Sequence, residues 1–103
     1  MLLIREIMYC KPGKVRPLVE KFLAMSKLSA KAGMGGFRVM TDVSAEHYWT
    51  VVSEMEVASL EAFEKMMAGG GMDDATGKEF EAIMKGYHEL VDKGRREIYR
   101  IEE

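Results

Sequence analysis

Apolar and polar residues mix over residues 2–10, and the run breaks at Lys11-Pro12-Gly13-Lys14. Pro12 fixes its own backbone and Gly13 relieves the corner, so a strand followed by a turn is predicted. The period then changes. Val15, Leu18, Val19, Phe22 and Met25 recur at helical spacing, which predicts a helix over 15–32. Pro17 falls in the first turn, where its missing N–H leaves no bond unmade, and Gly33 is the expected left-handed stop. Phe37-Arg38-Val39-Met40-Thr41 reads as a short alternating strand and Asp42 to Glu46 as a polar turn. "HYWTVVSEMEV" over 47–57 reads as the strongest strand, rich in aromatic and β-branched residues. Leu60, Phe63, Met66 and Met67 predict a short helix that ends in the glycines at 69–71. Thr76-Gly77-Lys78-Glu79 reads as a capping box. The helix it opens carries Phe80, Ile83, Met84, Tyr87 and Leu90/Val91 on one stripe, with Gly94 as its expected stop and "RREIYRIEE" as the last strand.

The order β-α-β-β-α-β predicts an α+β fold: the ferredoxin-like arrangement, a four-stranded antiparallel sheet with both helices on one face. In the strand order 4-1-3-2 the opening "LLIREIMYC" lies beside the closing "RREIYRIEE", so their Arg and Glu residues are set to pair. A sheet face left in water reads polar at every other position. Neither face of the first strand does: one set is Leu3, Arg5, Ile7 and Tyr9, the other Ile4, Glu6, Met8 and Cys10. The third strand has Tyr48, Thr50, Val52 and Glu54 on its less apolar face. Exposed apolar sheet marks an interaction surface, and a homodimer with two sheets face to face is expected.

Length and charge narrow the function classes. With 103 residues a single domain over 1–103 is expected, with a core small enough that association helps it. The net charge of -2, with basic and acidic residues interleaved, argues against nucleic-acid and membrane-surface partners. One cysteine, Cys10, excludes an intramolecular disulfide and a thiolate metal cage and fits a cytoplasmic location. No apolar run approaches the roughly 20 residues that cross a bilayer, and Arg5 and Glu6 interrupt what would be a signal-peptide core.

The whole chain resembles the dimeric α/β-barrel superfamily, which includes antibiotic-biosynthesis monooxygenase-like and NIPSNAP-like proteins. The resemblance rests on the first strand running into "KPGK", the paired strands, "SLEAFEKMM" and the final "GRREIYRIE". It implies two ferredoxin-like sheets closed into a barrel, with a pocket between sheet and helices or inside the barrel. Activities implied range over cofactor-independent oxygenation, haem degradation, isomerisation and cyclisation. Haem-degrading members carry Asn, Trp and His at slots that here fall on Glu6, Met66 and the neighbourhood of Met84. That departure speaks against haem degradation, and no cofactor is expected.

Candidate chemistry is sparse. "GGGMDDATGKE" has five residues between Gly71 and Gly77 and a Glu after Lys78, so it fails as a phosphate loop. "GMGG" lacks the later glycine of a dinucleotide fingerprint. His47 and His88 have no His or Cys at metal-ligand spacing, so no metal site is expected. His88 reads as a base at a pocket edge or as a solvent-edge residue beside Tyr87; His47 reads as a surface residue. Glu6 and Glu54, if they share the barrel interior, form a carboxylate pair with one raised pKa; otherwise they join a salt network with Arg5, Arg38 or Arg100. Tyr48 is a ligand hydrogen-bonder or a core residue. The helix and strand methionines line an adaptable pocket or fill the core. Lys11 is the sole activating neighbour for Cys10.

The candidate acid–base set is therefore Glu6, Tyr48, Glu54 and His88, and the candidate ligand contacts are Met8, Arg38, Thr50, Met66 and Met84. Three functions fit: an enzyme of the monooxygenase-like type acting on a small apolar or aromatic metabolite, a non-catalytic small-ligand binder, and a structural dimer module.

Overall fold

The structure, a computed structural model, describes residues 1–70 and 72–102. Strand β1 spans Leu2–Cys10, helix α1 Val15–Lys31, β2 Arg38–Thr41, β3 Thr50–Val57, α2 Leu60–Met67, α3 Asp74–Met84 and β4 Val91–Arg100, with a short 3-10 turn at Tyr87–Glu89 before β4. Helix α1 buries Leu18, Val19, Phe22 and Leu28 on one face. Its end is a Schellman motif: Gly33 at φ 82° donates its N–H to the Ala30 carbonyl, and Met34 donates to Ser29. Helix α2 stops the same way, with Gly69 at φ 84° bonding Met66 and Gly70 bonding Lys65. The glycine run is thus a built helix stop as far as Gly70; Gly71 lies outside the described residues. At the end of α3, Lys21 of α1 donates to the Ile83 and Lys85 carbonyls, satisfying orphan acceptors at the negative end of the helix.

The sheet order is β2-β3-β1-β4, all antiparallel, so the first and last strands are neighbours as expected. Register pairs Arg5 with Glu97 and Glu6 with Arg96 across them, and both pairs form ion pairs. All three α-helices pack against one face, which carries Ile4, Glu6, Met8 and Cys10 of β1 beside Val51, Ser53, Met55 and Val57 of β3. The core on that side is split. One cluster joins Cys10, Leu18, Val19, Phe22 and Val51; the other joins Ile4, Val57 and Phe63.

Four local expectations are corrected. β3 begins at Thr50, because the hairpin closes there: the Thr50 amide donates to Asp42 Oδ1 at 2.9 Å and its hydroxyl to the His47 carbonyl at 2.8 Å. Trp49, just outside, takes φ 61°, which breaks the extended run. The cap of α3 is Asp73, whose Oδ1 accepts from the Thr76 amide at 2.7 Å, so the Thr76–Glu79 box does not form. Helix α3 ends at Met84, before the left-handed Gly86 and more than two turns short of the expected stop at Gly94. Gly94 lies inside β4, opposite Met8.

Candidate functional site

Between the two core clusters the helix side of the sheet is not filled. A cavity of about 400 Å³ lies there, walled by β1, β3, α1, α2 and α3. Eight of the ten methionines line it, and none of the eight is fully buried. Unbranched thioethers fill irregular gaps and adapt to different shapes, so partial burial of so many of them makes a soft-walled hollow rather than a packed core. Phe22, Phe37 and Phe80 add aromatic wall.

The sheet contributes the polar part. Register sets Ser53, Glu6 and Arg96 side by side across β3, β1 and β4, one polar row in an otherwise apolar face. All three line the cavity. Glu6 Oε1 accepts a hydrogen bond from Arg96 Nε, and the Arg96 guanidinium sits 5.0 Å above the Phe63 ring. Among the described residues Glu6 is the one carboxylate lining this cavity. Outside it lies a groove of about 370 Å³ whose wall includes Glu6, Met8, Tyr87 and Arg96 again, together with His88. His88 is exposed and stacks on Tyr87 with ring centroids 4.0 Å apart. Gly94 matters here as a close approach: a Cβ on it would stand 2.6 Å from Met8 Sδ. Its bare backbone lets the Met8 side chain lie across β4, between groove and cavity.

The opposite, open face holds a second row. Register aligns Arg38, Glu54, Arg5 and Glu97 across β2, β3, β1 and β4. Glu54 is 8% exposed and accepts from Arg5 Nε at 2.7 Å and from Arg38 Nη2. Burial alone pushes its pKa up, but the two guanidinium hydrogen bonds together outweigh burial and hold the carboxyl below its ordinary value. Arg5 also reaches Glu97 at 3.5 Å. Residues 42–49 curl over one end of this face, where the rings of His47 and Tyr9 meet at 4.6 Å and Glu46 reaches Arg95. The hollow beneath, about 440 Å³, is lined by Ile7, Thr50, Val52 and Glu54 among others. Ile7, expected at an uncovered face, is therefore buried.

The candidate residues thus divide. Glu6, Met8, Met66 and Met84 come together at the helix-side cavity, with His88 at its outer groove. Arg38, Thr50 and Glu54 belong to the open face. The expected Glu6–Glu54 pair does not form, because Arg5 and not Glu6 stands opposite Glu54, which puts the two carboxylates on opposite sides of the sheet. Glu54's pKa moves down, opposite to the direction such a pair requires. Tyr48 stands 85% exposed in the loop and shares no strand face with Glu54. Cys10 is buried in the core, and burial pushes its thiol pKa up, away from reactivity. Ser53, Tyr87 and Arg96 were not singled out from sequence. Arg96 carried a signal: laying the closing phrase antiparallel on the opening one sets it against Glu6.

No family model matches the chain, and no curated protein sequence matches it. Solved structures do. A NIPSNAP family protein of Agrobacterium tumefaciens superposes with a TM-score of 0.75 at 13% identity, over 98% of this chain and 92% of that one. A NIPSNAP domain protein of Burkholderia xenovorans gives 0.71 at 13% identity, over 99% and 95%. A protein of Deinococcus radiodurans proposed to be an antibiotic biosynthesis monooxygenase gives 0.66 at 12% identity, over 100% and 94%. The chain shares the ferredoxin-like α+β fold of these proteins end to end. Among the described residues no helix is long and apolar enough to cross a membrane, and no group of three or more His, Cys, Asp or Glu side chains could hold a metal ion.

Proposed function

We propose that the protein is a cofactor-independent small-molecule enzyme of the antibiotic-biosynthesis monooxygenase-like type, working as a cytoplasmic homodimer on a small apolar or aromatic metabolite. One observation carries the reading: a methionine- and phenylalanine-lined cavity of about 400 Å³ with a single carboxylate, Glu6, set into its sheet wall. The volume is in the range of small-ligand sites, which are mostly apolar with a few placed polar groups. A flat apolar substrate would lie against the thioethers. Glu6 would take a proton from a hydroxyl or activated carbon facing the sheet, with Arg96 and Ser53 beside it to hold the developing anion. His88, in the outer groove, would exchange that proton with water.

A second reading, a binder without chemistry, is favoured by the Glu6–Arg96 ion pair, which already occupies the cavity's one carboxylate. Native mass spectrometry of the purified protein, followed by identification of any released molecule, separates the two. Turnover of that molecule in air, lost in Glu6→Gln with binding retained, supports the enzyme; unchanged turnover in Glu6→Gln overturns the assignment of Glu6. Binding without conversion supports the binder. Met66→Trp fills the cavity, and ligand binding that survives it overturns the site itself.

A further inference from the structure

The methionine cavity and the outer groove share one wall, made by Glu6, Met8, Tyr87 and Arg96. Arg96 is the one lysine or arginine lining the cavity among the described residues. Two contacts fix its guanidinium. Nε donates to Glu6 Oε1, and the buried Phe63 ring lies against one face of the plane, its centroid 5.0 Å from the guanidinium carbon. Glu6 is the only hydrogen-bond and ion-pair partner of Arg96 among the described residues. A guanidinium carries its N–H donors in a planar fork, so the outer edge, formed by the two Nη groups, is open to a ligand. The side chain is 41% exposed. Gly94, on the same face of β4, has no side chain to stand in front of it.

The surrounding charges make that edge a place for an anion. Glu6 is already matched by the pair. Lys93 and Arg95 border the groove, but strand alternation sends their side chains to the open face, where their charged ends lie 5.6 and 6.0 Å from the centre of the Tyr9 ring. Asp92 is exposed and stands four positions along β4 from Arg96, roughly 13 Å at ordinary strand rise. That is beyond the screening length of about 8 Å at physiological salt. A carboxylate fits the guanidinium fork with two parallel hydrogen bonds, roughly twice as strong as bonds to a neutral acceptor. Phe63 and Glu6 hold the fork in place before anything binds, so engaging it costs little side-chain freedom.

We propose that the substrate is an apolar or aromatic carboxylic acid, with its body among the thioethers and its carboxylate on the outer edge of the Arg96 guanidinium, at the wall shared with the groove. This rests on the small-molecule reading above and adds the chemical class. Such an acid is ionised at neutral pH, so the proton that Glu6 takes comes from the body of the substrate and not from its head. Register sets Glu6 between Arg96 and Ser53. The head is then held on one side of the base, and the reacting part lies toward Ser53 on the other.

The test is isothermal titration calorimetry at pH 7 with three probes of similar shape: naphthoate, naphthamide and naphthylmethylamine. The expected result is naphthoate bound about tenfold tighter than naphthamide, with the amine weakest. Glu6→Gln keeps that preference. The double variant Glu6→Gln, Arg96→Gln removes both charges without leaving an unpaired carboxylate; it loses the preference and still binds naphthamide, which also shows that its fold is intact. Equal affinity for acid and amide in the wild type, both lost in Met66→Trp, overturns the carboxylate head and leaves the cavity in place. A preference for the acid that persists in the double variant overturns Arg96 as its anchor. Tightest binding by the amine overturns the sign of the charge. Binding of naphthoate that survives Met66→Trp, or no binding of any probe at millimolar concentration, overturns the cavity reading and this inference with it.

Discussion

Replacing Glu54 with glutamine keeps the length of the side chain and removes its charge. In the native protein both carboxylate oxygens accept hydrogen bonds from guanidinium groups, Arg5 Nε at 2.7 Å and Arg38 Nη2, and only 7% of the side chain is exposed. Glutamine offers one oxygen and turns an NH₂ group toward the other arginine. Hydrogen bonds to charged groups contribute about 1.5–3 kcal/mol each. The Arg38 bond must be discounted to below about 1 kcal/mol, because that side chain is mostly in water. The Arg5 bond keeps most of its value. The expected loss is therefore about 2–3 kcal/mol, or a fall in Tm of roughly 10–20 °C for a domain of this size.

The same carboxylate gives the loss a pH signature. Its pKa is depressed in the folded protein, since the arginine bonds outweigh the opposing effect of burial. A depressed carboxyl pKa contributes stability that is fully present above the unfolded value of about 4.3 and is lost as pH falls through the folded value. Wild type and Glu54→Gln should differ most near neutrality and converge in acid. Thermal melts at one fixed protein concentration, because association also shifts Tm, measure both parts. Equal melting at pH 7 refutes the contribution of the ion network. A gap that stays constant down to about pH 2.5 refutes its ionic origin.

Three further outcomes are expected. Ile4→Ala opens a void at a residue 1% exposed, costs about 2–5 kcal/mol and lowers the urea midpoint without changing the slope. Gly69→Ala forces a side chain to φ 84° and costs about 1–2 kcal/mol, whereas Gly77→Ala, inside α3 with nothing within 4 Å of a new Cβ, stabilises by up to about 1 kcal/mol; paired thermal melts should move in opposite directions. Gly94→Ala displaces Met8 from its place across β4 and slows ligand association measured by stopped flow, with a smaller effect on the release rate.

What the sequence made legible was local or self-complementary. The adjacency of first and last strands could be read from Arg5 and Glu6 facing Glu97 and Arg96, since charges that must pair mark neighbours. The end of α1 was legible because a Schellman motif needs only its own residues. Failures arose where two local signals competed or a distant contact decided. "DDATGKE" offers Asp73 and Thr76 as caps, and Asp73 takes the helix. Gly86 ends α3 before Gly94 can. The start of β3 depends on Asp42 closing the hairpin at Thr50, which strand propensity over 47–57 does not contain. The division of the candidate site was least legible of all. Whether Glu6 shares a face with Glu54 turns on the register of β1 against β3, and a one-residue change of register moves every side chain to the other face.

That one residue separates two polar rows on opposite faces of a single sheet, and their independence is itself testable. Row Ser53–Glu6–Arg96 faces the methionine cavity, and row Arg38–Glu54–Arg5–Glu97, one position along each strand, faces away from the helices. The rows are joined only by backbone, which extended strands hold nearly rigid, so a change in one reaches the other weakly. Sites that share no partner add to within about 0.3–0.5 kcal/mol, a factor of about two in a binding constant. Glu6→Gln should therefore leave the dimer dissociation constant within about twofold of wild type. Arg38→Cys, kept reduced, should leave the affinity for any molecule found in the cavity within the same range. Sedimentation and ligand titration on both variants complete a two-by-two comparison. A tenfold change in either crossed measurement shows that the faces are coupled, and the independence drawn from the register is then wrong.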